Sequence, residues 1–331
     1  MVNKVLMAIA VLSLIGVGVF SYSVALMITG EVGGNPIYEM MVKGAEEAAA
    51  EAGFELKVVE GGYNPAKWEP TLFSLAASKQ YDLVVTFTEG MPKSVEKVAQ
   101  MFPNQKLALL DGIANPMPNV YSLGFKDEEM TYLAGYFAGL VTKSSLPQAN
   151  PDLKIGLIAG DIYPAMTDRM KPAYENGAHA VDENIEVLFS AAGTWSDPNK
   201  GSELAQAQYS QGADIILIIA GGTGVGVIEK AKEMGKYVIG VDSNIISFAP
   251  GTILACTLKN ADKAMKSTLL RAFRGELPFG TAERWGLKEG VIGFTFDDPN
   301  YIEIVPESIR EKMIQVYEDL INGVIDPLAS E

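Results

Sequence analysis

The stretch Ala192–Asn244 constrains the fold most, because it contains a complete strand–helix–strand unit. Ala213–Ala220 is a nearly unbroken apolar run, which is typical of a strand buried on both faces of a parallel sheet. A glycine turn, a helical pattern over Val225–Met234 and a second apolar run over Lys236–Val241 follow it. Parallel strands are joined by such helical crossovers, so this stretch predicts an α/β fold.

The same alternation of strands and helices runs through the rest of the chain. In the first half it predicts five strands: Val24–Thr29, Phe54–Val59, Leu83–Thr86, Lys106–Leu110 and Val120–Leu123. The second half repeats the plan and is predicted to close with a strand over Glu303–Val305 and a helix over Ser308–Asn322. Two consecutive α/β halves predict two lobes that face each other across a cleft.

The first 23 residues have the pattern of a secretory signal peptide. Lys4 precedes an apolar run over Val5–Phe20, and small residues follow it. This order of segments predicts export, to the periplasm or to the outer face of the cytoplasmic membrane. An uncleaved membrane anchor is the alternative. No cysteine lies near the end of the run, so we predict no lipid-modified amino terminus.

Composition and charge argue against several classes of function. The chain of 331 residues has a formal net charge of −15, which disfavours nucleic acid and anionic lipid as partners. His179 and Cys256 are the single histidine and the single cysteine. One of each is a poor basis for Ser-His-Asp, Cys-His or multi-histidine zinc chemistry. We therefore predict no catalytic residue, no metal site and no cofactor.

Acidic residues follow two of the predicted strands. Asp111 ends the fourth strand, and Asp242 ends the last strand of the Ala192–Asn244 stretch. Ligands of open parallel sheets bind outside the carboxyl ends of the strands, so Trp195, the turn Gly221–Gly224 and Asp242 are candidates to contact one small molecule. Two carboxylates accept hydrogen bonds from vicinal hydroxyls and repel phosphate. The alternative for an acid at a strand end is a helix N-cap.

Three segments resemble the basic membrane protein family of substrate-binding proteins, whose members include bacterial purine nucleoside receptors. They are TWSDPNKG (194–201), QGADIILIIAGGTGVGV (211–227) and KYVIGVDSN (236–244). The resemblance implies a periplasmic-binding-protein-like type I fold, with two Rossmann-like parallel-sheet lobes joined by a three-strand hinge. The predicted lobes are 24–125 plus 258–278 and 126–257 plus 279–331, with crossings near Phe125, Leu258 and Pro278.

The resemblance also implies roles for individual residues. Tyr38 and Trp195 correspond to aromatic positions that stack on the bound base. Asp111 and Asp242 correspond to acids that accept hydrogen bonds from the sugar hydroxyls, and Lys259 corresponds to a lysine beside the sugar or base. The first loop departs from the family pattern, because it is shorter and lacks an Asn-Asp pair. Asn35 is the nearest substitute in this chain, and Gly221 and Gly222 are expected to let the main chain approach the ligand.

These implications predict an extracytoplasmic solute-binding protein of an ABC transporter. The first-choice ligand is a purine nucleoside, and riboflavin is the alternative, because the altered first loop and the large Trp195 suit a wider ring system. The expected partners are this small molecule and a transporter permease, without nucleic acid, and the expected state is a monomer. An enzyme acting on nucleosides is a third alternative, in which Asp111 and Asp242 would act as general acid and base.

Overall fold

Two six-stranded sheets organise residues 22–329, the part of the chain that this computed structural model describes. The strands of the first sheet are, in spatial order, β11 (Ala282–Trp285), β5 (Val120–Phe125), β4 (Lys106–Leu110), β3 (Leu83–Phe87), β1 (Ser23–Ile28) and β2 (Glu55–Glu60). Those of the second are β12 (Ile292–Phe294), β10 (Ile253–Lys259), β9 (Tyr237–Gly240), β8 (Ala213–Ile219), β6 (Lys154–Ala159) and β7 (Glu186–Ala191). The pairings are parallel except β10 with β12, so the predicted α/β fold with two parallel-sheet lobes is confirmed.

Helices cover the faces of both sheets. The first lobe carries α1 (Pro36–Ala52), α2 (Trp68–Ser78), α3 (Pro92–Met101) and α8 (Ala261–Phe273). The second carries α4 (Asp127–Thr142), α5 (Lys171–His179), α6 (Pro198–Ser210), α7 (Gly224–Met234), α9 (Pro299–Ile304) and α10 (Glu307–Ile321). A π-helical turn over Met166–Met170 leads into α5. The apolar strands β3 and β8 are buried along their whole length, as parallel strands covered on both faces must be.

Within residues 22–329 the chain crosses between the lobes three times: between β5 and α4, between β10 and α8, and between β11 and β12. The third crossing corrects the prediction that residues 279–331 belong to the second lobe. β11 pairs in parallel with β5, with Ala282 opposite Ser122, and so belongs to the first sheet. Because β11 contains the charged residues Glu283 and Arg284, it lacks the apolar pattern by which a strand is recognised in a sequence. The strand forms because it pairs with β5 in the folded protein.

The closing segment departs from the prediction in one element. The predicted strand over Glu303–Val305 is wrong, because helix α9 ends at Ile304. Asp298 caps this helix by accepting hydrogen bonds from the backbone N–H groups of Asn300 and Tyr301, and Pro299 fits its first turn. The final helix, α10, lies where the pattern predicted it.

The predicted signal peptide lies almost wholly outside the described residues. Its last two positions, however, belong to the fold. Tyr22 packs edge-on against Phe54 and Phe273, with ring centroids 6.1 and 5.7 Å apart, and Ser23 begins β1. Tyr22 and Ser23, which the prediction assigned to the signal peptide, are therefore part of the first lobe in this structure. Between residues 22 and 329, none of the helices is both long enough and apolar enough to span a bilayer.

Close packing of α4 against α5 fixes the helix that follows the first crossing. A Cβ at Gly135 of α4 would lie 2.0 Å from the carbonyl oxygen of Tyr174, and one at Gly177 of α5 would lie 2.2 Å from that of Tyr132. The two helices therefore touch backbone to backbone at reciprocal glycines. This contact holds the amino-terminal end of α4, which carries acidic side chains, at the edge of the cleft.

We predict that Gly135→Ala lowers the free energy of unfolding by about 1–3 kcal/mol, since the new methyl group meets a carbonyl oxygen that belongs to a packed helix. Urea unfolding followed by circular dichroism measures the effect. Gly33→Ala is the control, because a Cβ at this exposed glycine has no neighbour within 4 Å. Equal midpoints for the two variants would contradict the close-packing argument.

Candidate functional site

Lys259 lies between carboxylates of the two lobes. It is the last residue of β10 in the second sheet, and its side chain is buried. Its Nζ lies 2.9 Å from Oδ1 of Asp111, which follows β4 of the first sheet, and 3.0 Å from Oδ1 of Asp127, the first residue of α4. The ammonium group also lies 4.7 Å above the ring of Phe125, a favourable cation–π position.

Asp242 of the second lobe contributes to the same cluster. Its charge, together with those of Asp111 and Asp127, raises the pKa of Lys259 well above the ordinary value although burial lowers it, so the lysine is a cation at neutral pH. Burial raises the pKa of Asp242 to about 6; Lys259 opposes this rise, and Asp127 and Asp111 add to it. Burial also raises the pKa of Asp111, against the attraction of Lys259. The structure therefore joins three of the predicted site residues, Asp111, Asp242 and Lys259, in one electrostatic cluster.

Backbone strain concentrates at the same edge of the sheets. Thr88 after β3, Asp111 after β4 and Asp242 after β9 have φ values of 97°, 54° and 67°. Left-handed backbone is uncommon for residues other than glycine, and it is an outlier for a β-branched residue such as threonine. Strained residues of this kind persist where the surrounding structure holds them in place, and they cluster at ligand sites.

Tyr38 lies on the first-lobe side of the cleft, two residues into α1. A Cβ at Gly30 would lie 2.4 Å from its ring, so the glycine makes room for the tyrosine. The ring stacks on Tyr63 at a centroid distance of 6.5 Å and meets Phe87 edge-on at 5.8 Å. Burial raises the pKa of Tyr38, and Tyr63 and Asp111 contribute, which places the phenol near the acidic cluster. Asn35 occupies the N-cap position of α1, and its side chain makes no capping hydrogen bond.

Trp195 lies on the second-lobe side with 45% of its side chain exposed. A Cβ at Gly160, the residue after β6, would lie 2.4 Å from the indole, so the ring lies directly on this backbone. The ring of Tyr163 lies beside the indole, at a centroid distance of 6.1 Å. Burial raises the pKa of Tyr163; the charges of Asp127, Asp111 and Glu89 add to the rise, and Lys259 opposes it.

The glycine turn after β8 supports Trp195. Thr223 donates its backbone N–H to the carbonyl of Trp195 at 3.2 Å. A Cβ at Gly221 or Gly222 would lie 3.1 or 3.3 Å from that carbonyl oxygen, and Gly221 has a φ of 52°. The two glycines therefore have a packing role against the Trp195 turn. Their contact with a ligand remains a prediction.

Sequence reasoning missed two parts of the site. The carboxylate of Asp127 pairs with Lys259, and the ring of Tyr63 stacks on Tyr38. The signal that could have found Asp127 is the acidic run Asp127–Glu129 directly after the predicted crossing at Phe125. Among the described residues, no group of three or more His, Cys, Asp and Glu side chains is arranged to hold a metal ion.

Two α/β lobes with charged residues at the carboxyl ends of their strands form a cleft suited to a small ligand, and comparison with known proteins gives the family. The model of the family described as ABC transporter substrate-binding protein PnrA-like matches residues 21–322, so the chain belongs to this family. The chain is 30% identical to basic membrane protein A of Borreliella burgdorferi, over 82% of this chain and 78% of that one. It is 27% identical to the ABC transporter nucleoside-binding protein BmpA of Lactococcus lactis, over 79% and 75%.

A solved structure supports the fold assignment. The solute-binding protein of an ABC transporter system from Aeropyrum pernix superposes with a TM-score of 0.81 at 24% identity, over 92% of both chains. This likeness confirms the predicted fold class of two α/β lobes. The predicted membership in the basic membrane protein family and the predicted class, a substrate-binding protein of an ABC transporter, are confirmed as well.

We predict that Asp242→Asn stabilises the unliganded protein at pH 7.5, by on the order of 1 kcal/mol. In wild type the folded state holds the Asp242 proton more tightly than the unfolded state between the ordinary pKa of 3.8 and about 6. Stability therefore falls as pH rises through this window, and the full cost of the buried charge is present above it. The asparagine removes that cost and leaves Lys259 its contacts with Asp111 and Asp127.

Thermal unfolding at pH 7.5 and at pH 4 measures this difference, which should vanish at the lower pH. Asp161→Asn, at an exposed aspartate after β6, is the matched control and should change little at either pH. A lower melting temperature for Asp242→Asn at pH 7.5 would contradict the predicted cost of burying the carboxylate.

Proposed function

We propose that this protein captures a purine nucleoside between its two lobes and delivers it to the permease of an ABC transporter. The observation that carries the proposal is the meeting of Asp111, Asp242 and Lys259 in one charged cluster, with Tyr38 on one lobe and Trp195 on the other. A relative at 27% identity is named a nucleoside-binding protein, which supports this ligand class. Export before binding and action as a monomer are parts of the same proposal.

The charge of the cluster favours hydroxyl groups over phosphate. Asp111, Asp127 and Asp242 face one cation, Lys259, so these four groups carry a net negative charge when they are ionised. Ribose hydroxyls donate hydrogen bonds to carboxylates, and a phosphate would be repelled. In the proposed complex, Asp111 and Asp242 accept hydrogen bonds from the sugar, while Lys259 keeps both acids ionised and donates to the sugar or the base.

The aromatic residues are proposed to bind the base. Tyr38 and Trp195 lie on different lobes, so a flat ring held between them would draw the lobes together. Stacking contributes about 0.5–1.5 kcal/mol per ring pair beyond the burial of area. Closure then follows from contacts with both lobes that the open state lacks. Asn35 is proposed as a polar contact to the base, and Gly221 and Gly222 as the backbone beside it.

Riboflavin is the second candidate ligand. The stacked pair of Tyr38 and Tyr63 gives the first lobe a wider aromatic surface than one ring, and Trp195 is half exposed on the second. These surfaces suit a three-ring system, and its ribityl chain offers hydroxyls to the same carboxylates.

Calorimetric titration with inosine, guanosine, adenosine, riboflavin and inosine monophosphate tests the proposal. We expect tight binding of at least one purine nucleoside and at least tenfold weaker binding of the monophosphate, because the cluster repels phosphate. Tight binding of riboflavin alone would replace the nucleoside with the flavin. Chromatography of the titrated samples checks for free base and ribose, whose appearance would instead support an enzyme.

Aromatic variants test the stacking assignment. We predict that Tyr38→Ala and Trp195→Ala each weaken binding by roughly tenfold, and that the double variant abolishes it while thermal unfolding stays cooperative. Phe73→Ala is the control, because this partly exposed ring of α2 contacts Phe102 instead of the cleft. Unchanged affinity in the double variant would show that the base binds elsewhere.

A further inference from the structure

We propose that Arg169 is a positioning residue that holds the two lobes closed, by pairing across the cleft with Glu89 of the first lobe and with Glu128 beside the hinge. The proposal depends on the hinged closure that the proposed function includes, but not on the identity of the ligand. The family resemblance implies no role for these three residues, and their ion pairs are separate from the Asp111–Lys259 pair.

The geometry joins elements that are far apart in the sequence. Arg169 belongs to the π-helical turn before α5 in the second lobe. Its Nη2 lies 3.0 Å from Oε1 of Glu89, which follows β3 of the first lobe, and its Nη1 lies 3.4 Å from Oε2 of Glu128 in the first turn of α4. The same Glu128 oxygen accepts a hydrogen bond at 2.8 Å from Nη2 of Arg284, at the end of β11.

The two-pronged shape of the guanidinium matters here. Arg169 uses one terminal nitrogen for each carboxylate, so a single side chain connects the wall of the cleft to the hinge. Lysine has the same charge, but it is a point donor on a flexible stem and cannot reproduce this fork. Partial burial of the three side chains strengthens the pairing relative to a fully exposed ion pair.

The π-helical turn aims the arginine at the cleft. Met166 and Met170 at the two ends of the turn are buried, which anchors the segment in the second lobe. A π-turn adds a residue to the helical path and so redirects the side chains that follow, and such turns are frequent at functional sites. Pro172, in the first turn of α5, fits the point where regular helix resumes.

The charges around Glu89 explain why closure needs this cation. Burial raises the pKa of Glu89 to about 7, Asp111 and Asp127 add to the rise, and Arg169 and Lys259 oppose it. Tyr163 and Glu128 lie in the same surroundings. Closing the lobes therefore crowds carboxylates from both sides of the cleft. Arg169 is a second-lobe cation that offsets this repulsion away from the proposed sugar site.

Single-molecule fluorescence energy transfer on the full mature chain tests the proposal without ligand. Dyes attach at Lys93→Cys in α3 and Lys232→Cys in α7, two exposed positions on different lobes, while Cys256 is buried. We expect Arg169→Met to lower the ratio of closed to open molecules by roughly fivefold, the size of effect of a partly buried ion pair. Arg169→Lys should lie between wild type and the methionine variant.

Lys171→Met is the matched control. It removes a charge two residues away, and its ion pair with Glu175 at 2.6 Å stays within α5. Its distribution should equal that of wild type, and circular dichroism verifies that all variants are folded. A distribution for Arg169→Met that coincides with that of Lys171→Met would overturn the proposal.

The ligand-bound state gives a second readout. With whichever of inosine, guanosine, adenosine and riboflavin binds, Arg169→Met should raise the dissociation rate constant by the same factor as the loss of closed molecules, and an unchanged rate constant would overturn the positioning role. If none of the four compounds binds, the proposed ligand fails, and the ligand-free distances still decide the role of Arg169.

Discussion

The buried charge of Lys259 is the interaction on which the site depends. A lone ammonium group in this position would be strongly destabilising, and so would three unpaired carboxylates. Together they compensate one another, because the lysine and the carboxylates carry opposite charges. Asp111 comes from one lobe, Asp242 from the other, and Asp127 from the start of α4. The cluster therefore forms completely only when β4, β9, β10 and α4 converge. The proposed binding surface and the joint between the lobes therefore use the same set of charges.

The amino-terminal end of α4 extends this joint to all three crossings. Asp127 pairs with Lys259 at the second crossing, and Glu128 accepts from Arg284 at the third. Glu129 accepts a hydrogen bond at 2.7 Å from the backbone N–H of Leu287, also at the third crossing. Acidic side chains are favoured at a helix N-terminus by the helix dipole. One helix end thus holds the hinge, and its glycine packing against α5 fixes that end in place.

Several features of the site lower the free energy of unfolding of the unliganded protein. Thr88, Asp111 and Asp242 hold a left-handed backbone, Asp242 and Glu89 are carboxylates with raised pKa values, and Trp195 leaves nearly half of its indole exposed. Each feature costs free energy in the unliganded protein. All of them lie at the carboxyl ends of strands facing the cleft. Their common location is the site proposed above for the ligand.

The sequence by itself determined the α/β class, the two lobes and the acids at the ends of β4 and β9, because apolar runs and strand ends are local patterns that every parallel sheet shares. Tertiary structure alone decided that β11 joins the first sheet, that Asp127 completes the Lys259 cluster and that Arg169 reaches Glu89 across the cleft. These are pairings between residues far apart in the chain. Charged residues such as Glu283 and Arg169 look solvent-exposed in a sequence, and only the folded chain brings their partners within hydrogen-bonding distance.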